Sequence, residues 1–250
     1  VSRVIDISRF EGCLMGLALG DALGAPYEGG PTGKLLWMIL GKTPEGKMRW
    51  TDDTQMALDI GESLVHNQKM NADDIAARFG KSYRWDRGYG SGATRLLKKF
   101  RSGTDWRLAN KSVFRDGSFG NGSAMRAPVI GMFFLNDEKN LIEMARNSSI
   151  ITHSHPLGVE GAVLIASATA LALQKEKPIE IIECATLNCK LAPYLTRLEI
   201  AFQWLKNKET PRKVKKLVQW LNSEKLVFWQ LELASKKCKI GTKYLPKSVL

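Results

Sequence analysis

Apolar residues recur along this chain three or four positions apart, with turn residues between the periodic segments. No stretch alternates strictly between apolar and polar residues inside hairpin signals. A chain patterned in this way closes its core by packing helix on helix, so an all-α fold is predicted. Its first helix is expected over 8–22, where Gly12, Gly16 and Gly20, followed by Gly24, fall every four residues on one face. Each glycine costs a helix roughly 1 kcal/mol against alanine, so the stripe implies a compensating close approach of another helix and a central position. Further helices are predicted over 51–66, from Asn71 onward, and over 93–101, 122–135, 138–147, 157–173, 180–188, 196–206 and 211–221. The intervening loops APYEGGPTG, DRGYGSG and DGSFGNGS are rich in glycine.

With 250 residues and 44% apolar side chains, the chain is long enough to bury a sizeable core. We read it as one domain over 1–250, with its distinctive motifs in 10–173 and a basic helical tail in 175–250. The N-terminus lacks a basic, apolar, small-residue succession, and the longest apolar stretch, 162–173, is short and alanine-rich. No membrane span and a cytoplasmic location are therefore expected. Cys13, Cys184, Cys189 and Cys238 are scattered without a C-x-x-C pair, as befits reduced packing residues. The net charge of +12 is uneven, because from Lys175 onward 16 Lys and Arg face 7 Glu, leaving a surplus of 3 for the first 174 residues. Within that tail, Thr210–Leu221 reads as an amphipathic helix with a solvated basic face, the only feature that favours nucleic-acid contact.

Chemistry is concentrated in a few short segments. In RWTDDTQMAL, Thr51 can cap a helix whose positive end Asp52 and Asp53 complement. The same oxygens can equally form one face of a site for a hard cation such as Mg2+. The loop from Asp116 to Gly122 sets three glycines directly before a predicted helix; it is either a surface turn or a cradle of N–H groups for a diphosphate. Its spacing matches neither a P-loop nor a dinucleotide fingerprint. Phe119 or Phe114 could stack on a base. His153 and His155 form H-x-H, but with one other histidine in the chain and no nearby cysteine, a substrate hydrogen bond from His153 is favoured over zinc. Glu28 gains interest only beside the acidic pair.

Taken in order, GLALGDALGAPYEG, RWTDDTQMAL, DRGYGSGATR, GSFGNGSAMRAP and ITHSHPLGVEGA resemble the ADP-ribosylglycohydrolase family over about Phe10 to Leu173. Details such as DRGYGSG look closer to the serine-specific and general ADP-ribose branch. The resemblance implies an orthogonal multi-helix bundle with a binuclear Mg2+ site at the mouth of an ADP-ribose cleft. It further implies that Thr51, Asp52, Asp53 and Glu28 ligate metal and that Glu28 and Asp52 carry the catalysis. Asp116, Gly117, Ser118, Phe119, Gly120, Asn121 and Gly122 would hold the diphosphate and adenine, and His153 would contact substrate. Hydrolysis would release ADP-ribose from a protein side chain or a related small molecule.

One departure stands out. The family supplies its second metal from a late G-G-D-T-D-T type motif, whereas no aspartate follows Asp137 here. We therefore expect a C-terminally shortened chain, holding two, one or no Mg2+, with an apolar face that a partner would cover. A second reading follows, an ADP-ribose-binding relative without turnover. A third, a basic nucleic-acid-binding protein, rests on the tail alone.

Overall fold

The computed structural model describes residues 7–28, 30–174 and 177–207. The tail helix expected over Thr210–Leu221, Cys238 and the closing residues lie outside the described residues. Among the described residues there are eleven α-helices: α1 (Ile7–Gly24), α2 (Gly30–Leu40), α3 (Asp52–Asn67), α4 (Ala72–Ser82), α5 (Ser91–Arg101), α6 (Trp106–Val113), α7 (Pro128–Phe133), α8 (Glu138–Ile150), α9 (Pro156–Gln174), α10 (Pro178–Leu187) and α11 (Ala192–Lys206). Among the described residues the β structure amounts to one isolated antiparallel bridge between Lys42 and Met48.

Local signals account for most of the boundaries. Thr51 caps α3 by accepting from the Asp53 N–H, and Gln68 ends it in the left-handed conformation at φ 56° while donating to the Leu64 carbonyl. Asn71, Asp105 and Asp137 cap α4, α6 and α8 in the same manner. Two expectations need correction here. The predicted 122–135 helix is a single 3-10 turn at Asn121–Ser123, followed by turns and then the short α7. Pro128 lacks the N–H that would continue the ladder, so the chain closes i to i+3 bonds such as Ala127 N–H to Ala124 O and restarts at the proline. The APYEGGPTG loop hides a 3-10 turn at Ala25–Tyr27 and the beginning of α2, where Pro31 falls in the first turn and the apolar run after it sustains the helix. The helix α6 also went unread, since its eight residues make little more than two turns.

The centre of the fold is α9, not the glycine-striped α1. Thirteen of its residues, from Gly158 to Leu173, are buried, and α7, α8 and α10 pack around it. In α1, Gly16, Gly20 and Gly24 are buried, but Leu14, Met15, Leu19 and Leu23 are exposed and Gly12 meets nothing. The reason is composition: α9 is apolar all round and studded with Gly and Ala, so neighbours approach it from several sides, whereas α1 has one close face. The α7–α9 crossing illustrates the approach, because a Cβ at Gly131 would lie 2.4 Å from the Ala166 carbonyl oxygen. By length and apolarity α9 would also suffice to cross a bilayer, yet 78% of its most apolar window is buried against the other helices. Ile60, Leu64, Phe79, Leu97, Ile130 and Ile151 fill the main core, and Leu164, Ile181, Tyr194 and Leu198 form a second cluster with α10 and α11. Between these clusters, buried Glu160 accepts from the N–H groups of Lys190 and Leu191 and from Cys189 Sγ, which seats the start of α11.

Candidate active site

The acidic pair is positioned by a residue from another helix. Asp21, buried on α1, accepts from Thr51 N–H at 2.9 Å and Thr51 Oγ1 at 2.6 Å, and from Thr54 N–H at 3.1 Å and Thr54 Oγ1 at 2.5 Å. Four donors on one carboxylate, three on Oδ2 and one on Oδ1, lock the first turn of α3 onto α1. The Thr51 hydroxyl gives its proton to Asp21 and accepts from Asp53 N–H, so one lone pair remains. Asp52 and Asp53 then project, half-buried, from the helix start. Gly88, at φ +85° in the DRGYGSG turn, brings its backbone beside them, where an added Cβ would be 3.6 Å from Asp52 Oδ1. On the outer side, Arg87 donates to the Trp50 carbonyl and lies over the Trp50 ring.

Burial dominates the electrostatics of the acidic cluster, and neighbouring carboxylates add to it. Burial, reinforced by the negative charges of Asp21 and Glu28, raises Asp52 to about 7. Burial and then Asp52 push Asp53 well above the usual carboxylate range. Glu28, open to solvent on one side, is raised by its surroundings and by Asp21. None of Glu28, Asp52 and Asp53 has a basic side chain at ion-pair distance among the described residues. Nor, among the described residues, do three His, Cys, Asp or Glu side chains converge as a group that could hold a metal ion. What fits a hard divalent cation is the donor chemistry: carboxylates with no counter-charge whose mutual repulsion a cation would relieve.

The glycine loop and the H-x-H turn form one unit. Gly117 has φ +80°, and a Cβ there would be 2.4 Å from the His155 backbone nitrogen. A Cβ at Gly122 would be 2.6 Å from His153 Cε1, and one at Gly158 would be 2.9 Å from the Ser118 carbonyl oxygen. The loop is therefore glycine-rich because the 153–158 segment lies directly beneath it. Ser118 Oγ accepts from Gly120 N–H, and Ser123 Oγ donates to the Gly158 carbonyl. Phe119 is 61% exposed and meets the His155 ring edge-on at 5.6 Å, so its outer face is free to stack. Asp116 and Asn121 are exposed at the two ends of the loop. Phe114 instead packs into the core against Gly92, where an added Cβ would be 2.5 Å from Cζ.

Arg126 links the two halves. It is fully buried, with its guanidinium over the Phe79 ring, and donates to Gly122 O, Ser148 O and Thr152 Oγ1. Burial pushes it down to about 9, while Asp52 and Asp59 hold it up. His153, half-buried, is lowered to about 3 by burial and by the Arg126 charge. Sequence reasoning missed Asp21, Arg126 and Thr152. An aspartate inside the apolar run LMGLALGDALGA was a readable signal for Asp21, but nothing local marks Arg126 as buried.

A family model described as ADP-ribosylglycohydrolase matches residues 3–241. ADP-ribosylhydrolase ARH3 of Xenopus tropicalis is 37% identical over 182 residues, covering 68% of this chain and 52% of that protein. The ADP-ribosyl-dinitrogen reductase glycohydrolase of Rhodospirillum rubrum is 32% identical over 161 residues, covering 60% and 52%. A solved structure titled as an ADP-ribosylglycohydrolase-related protein complex superposes with a TM-score of 0.59 at 27% identity, over 78% of this chain and 67% of its own. The chain spans about half the length of the curated relatives it matches.

Proposed function

Because the chain belongs to the ADP-ribosylglycohydrolase family, we propose that it binds ADP-ribose across the glycine turn and the acidic pair and hydrolyses its bond to a protein side chain or a related small molecule. The observation that carries the reading is the acidic start of α3, which Asp21 fixes beside Gly88 and whose Asp52 and Asp53 have no basic side chain at ion-pair distance among the described residues. In this reading the N–H groups of residues 117–122 receive the diphosphate, and Phe119 stacks on adenine. Asp52, Asp53 and the remaining Thr51 lone pair would hold Mg2+, with Glu28 beside them. When bound, the ion supplies Lewis-acid stabilisation of charge developing on the ribose.

The chain's own groups do the rest. Glu28, on the open side of the acidic cluster and raised above its usual range, accepts the proton of the attacking water. The water adds to the anomeric carbon as the bond to the acceptor breaks through an oxocarbenium-like state, and the proton taken by Glu28 passes through solvent to the departing acceptor oxygen or nitrogen. Hydrolysis of a mono-ADP-ribosylated serine peptide in the presence of Mg2+, abolished by Asp52→Ala plus Asp53→Ala, is the expected result. Wild-type chain that neither turns the peptide over nor is stabilised by ADP-ribose would overturn the proposal.

One observation favours a second reading, binding without turnover: residues 138–250 contain no aspartate to complete a two-metal set. Thermal stabilisation by ADP-ribose with no hydrolysis under any divalent cation is the outcome that selects it.

A further inference from the structure

Arg126 and Thr152 settle a proton on His153. An arginine nitrogen has no lone pair to offer, so Thr152 Oγ1 is the acceptor in its 2.8 Å contact with Arg126. The hydroxyl then has one proton to place. Thr152 is only 3% exposed, and His153 Nδ1, also 2.8 Å away, is the partner within reach. A proton on Nδ1 would take the second lone pair of the same oxygen and leave the Thr152 hydroxyl proton without an acceptor in the interior, a cost of about 1–3 kcal/mol. The satisfied arrangement runs from Arg126 to Thr152 to Nδ1, which puts the ring proton on Nε2.

Nε2 faces the glycine turn. It would be 2.9 Å from a Cβ at Gly122 and 3.4 Å from one at Gly120, and it has no hydrogen-bond partner among the described residues. We infer that Arg126 and Thr152 are positioning residues that hold His153 in the Nε2–H tautomer, so that the ring presents a preset N–H donor to a phosphate oxygen lodged in the 117–122 turn. The ligand half of this inference rests on the proposed function; the tautomer does not. Burial and the Arg126 charge keep the ring neutral at physiological pH, so the donor persists without a charge of its own.

The test separates the two halves. In protein carrying 15N-histidine, long-range proton–nitrogen correlation spectra assign each ring tautomer, with His153→Gln identifying the signal. Wild type is expected to show His153 protonated at Nε2 alone without ligand, and Thr152→Ser to retain that pattern. Thr152→Val is expected to lose it and to weaken ADP-ribose binding about tenfold, with Thr152→Ser restoring affinity. A wild-type ring protonated at Nδ1, or an unchanged tautomer in a folded Thr152→Val, overturns the positioning role. If Thr152→Val does not fold, Arg126→Lys provides the second perturbation, since it removes the planar fork and is expected to redistribute the tautomers. An Nε2–H ring in protein that ignores ADP-ribose would sink the ligand assignment alone.

Discussion

Asp21 on the first helix holds Thr54 on the third twice with one oxygen, through the backbone N–H at 3.1 Å and the hydroxyl at 2.5 Å. Thr51 fills the remaining positions of that carboxylate, so the start of α3 is fastened to α1 before any ligand arrives. Removing the carboxylate leaves buried donors unmet. Asp21→Ala is expected to lower unfolding free energy by about 3 kcal/mol or more, and Asp21→Asn, which keeps one acceptor, by about 1–2 kcal/mol. Urea denaturation reads both; a loss under about 1 kcal/mol for the alanine variant would mean that the four bonds are not made.

Uncompensated carboxylates predict a cation response. Asp52→Asn plus Asp53→Asn relieves burial and mutual repulsion, so the double variant is expected to melt at or above the wild-type temperature without divalent ions. Mg2+ or Mn2+ should raise the melting temperature of wild type and leave the variant unmoved. Equal shifts in both proteins would place the ion elsewhere.

Asp59 sets a separate pH dependence. Burial raises it to about 6, while Ser82 and Gln55 donate to it in partial opposition. A raised carboxylate favours the folded state below its unfolded value near 3.8, and that contribution is lost as pH climbs through about 6. Relative to wild type, Asp59→Asn is expected to be more stable at pH 7.5 than at pH 4, by an amount of order 2 kcal/mol. A difference independent of pH would show that Asp59 titrates normally.

Two glycines of positive φ should behave unlike each other. Gly117 has φ +80° and no room, and Gly46 has φ +77° with nothing within 4 Å of an added Cβ. Gly46→Ala is expected to cost about 1 kcal/mol from backbone strain alone, and Gly117→Ala distinctly more, since it also presses on the His155 backbone. Matching thermal shifts would mean that the 117–155 contact gives way without cost.

Phe119 offers the opposite contrast. Its exposure predicts a stability change within about 0.5 kcal/mol for Phe119→Ala, while loss of a stacking face should weaken ADP-ribose binding about tenfold. Calorimetry with ADP-ribose and with ribose 5-phosphate, which lacks the base, distinguishes stacking from a general loss of the loop: only the former ligand should respond.

Helical character, most boundaries and the functional segments were legible because each is written locally. The 3.6-residue period, the caps Thr51 and Asn71 and the glycine runs act within one turn of the residues that encode them. Less legible were short or proline-interrupted elements: α2 was masked by glycine and proline, α6 makes little more than two turns, and Pro128 divided what reads as one helix. The placement of the basic tail was outside the reach of the comparison, because Thr210–Leu221 lies outside the described residues.

By itself the sequence determined an all-α chain of a recognisable family and offered candidate oxygens and glycines for its site. Only tertiary structure decided that Asp21 would lock the acidic turn, that Arg126 would lie fully buried and bonded to Gly122 and Thr152, and that α9 rather than α1 would form the centre. The physical reason is that these rest on contacts between distant residues, 33 positions apart for Asp21 and Thr54 and 26 for Arg126 and Thr152, governed by which donors find acceptors in the interior and which surfaces fit, and neither carries a periodic signal along the chain.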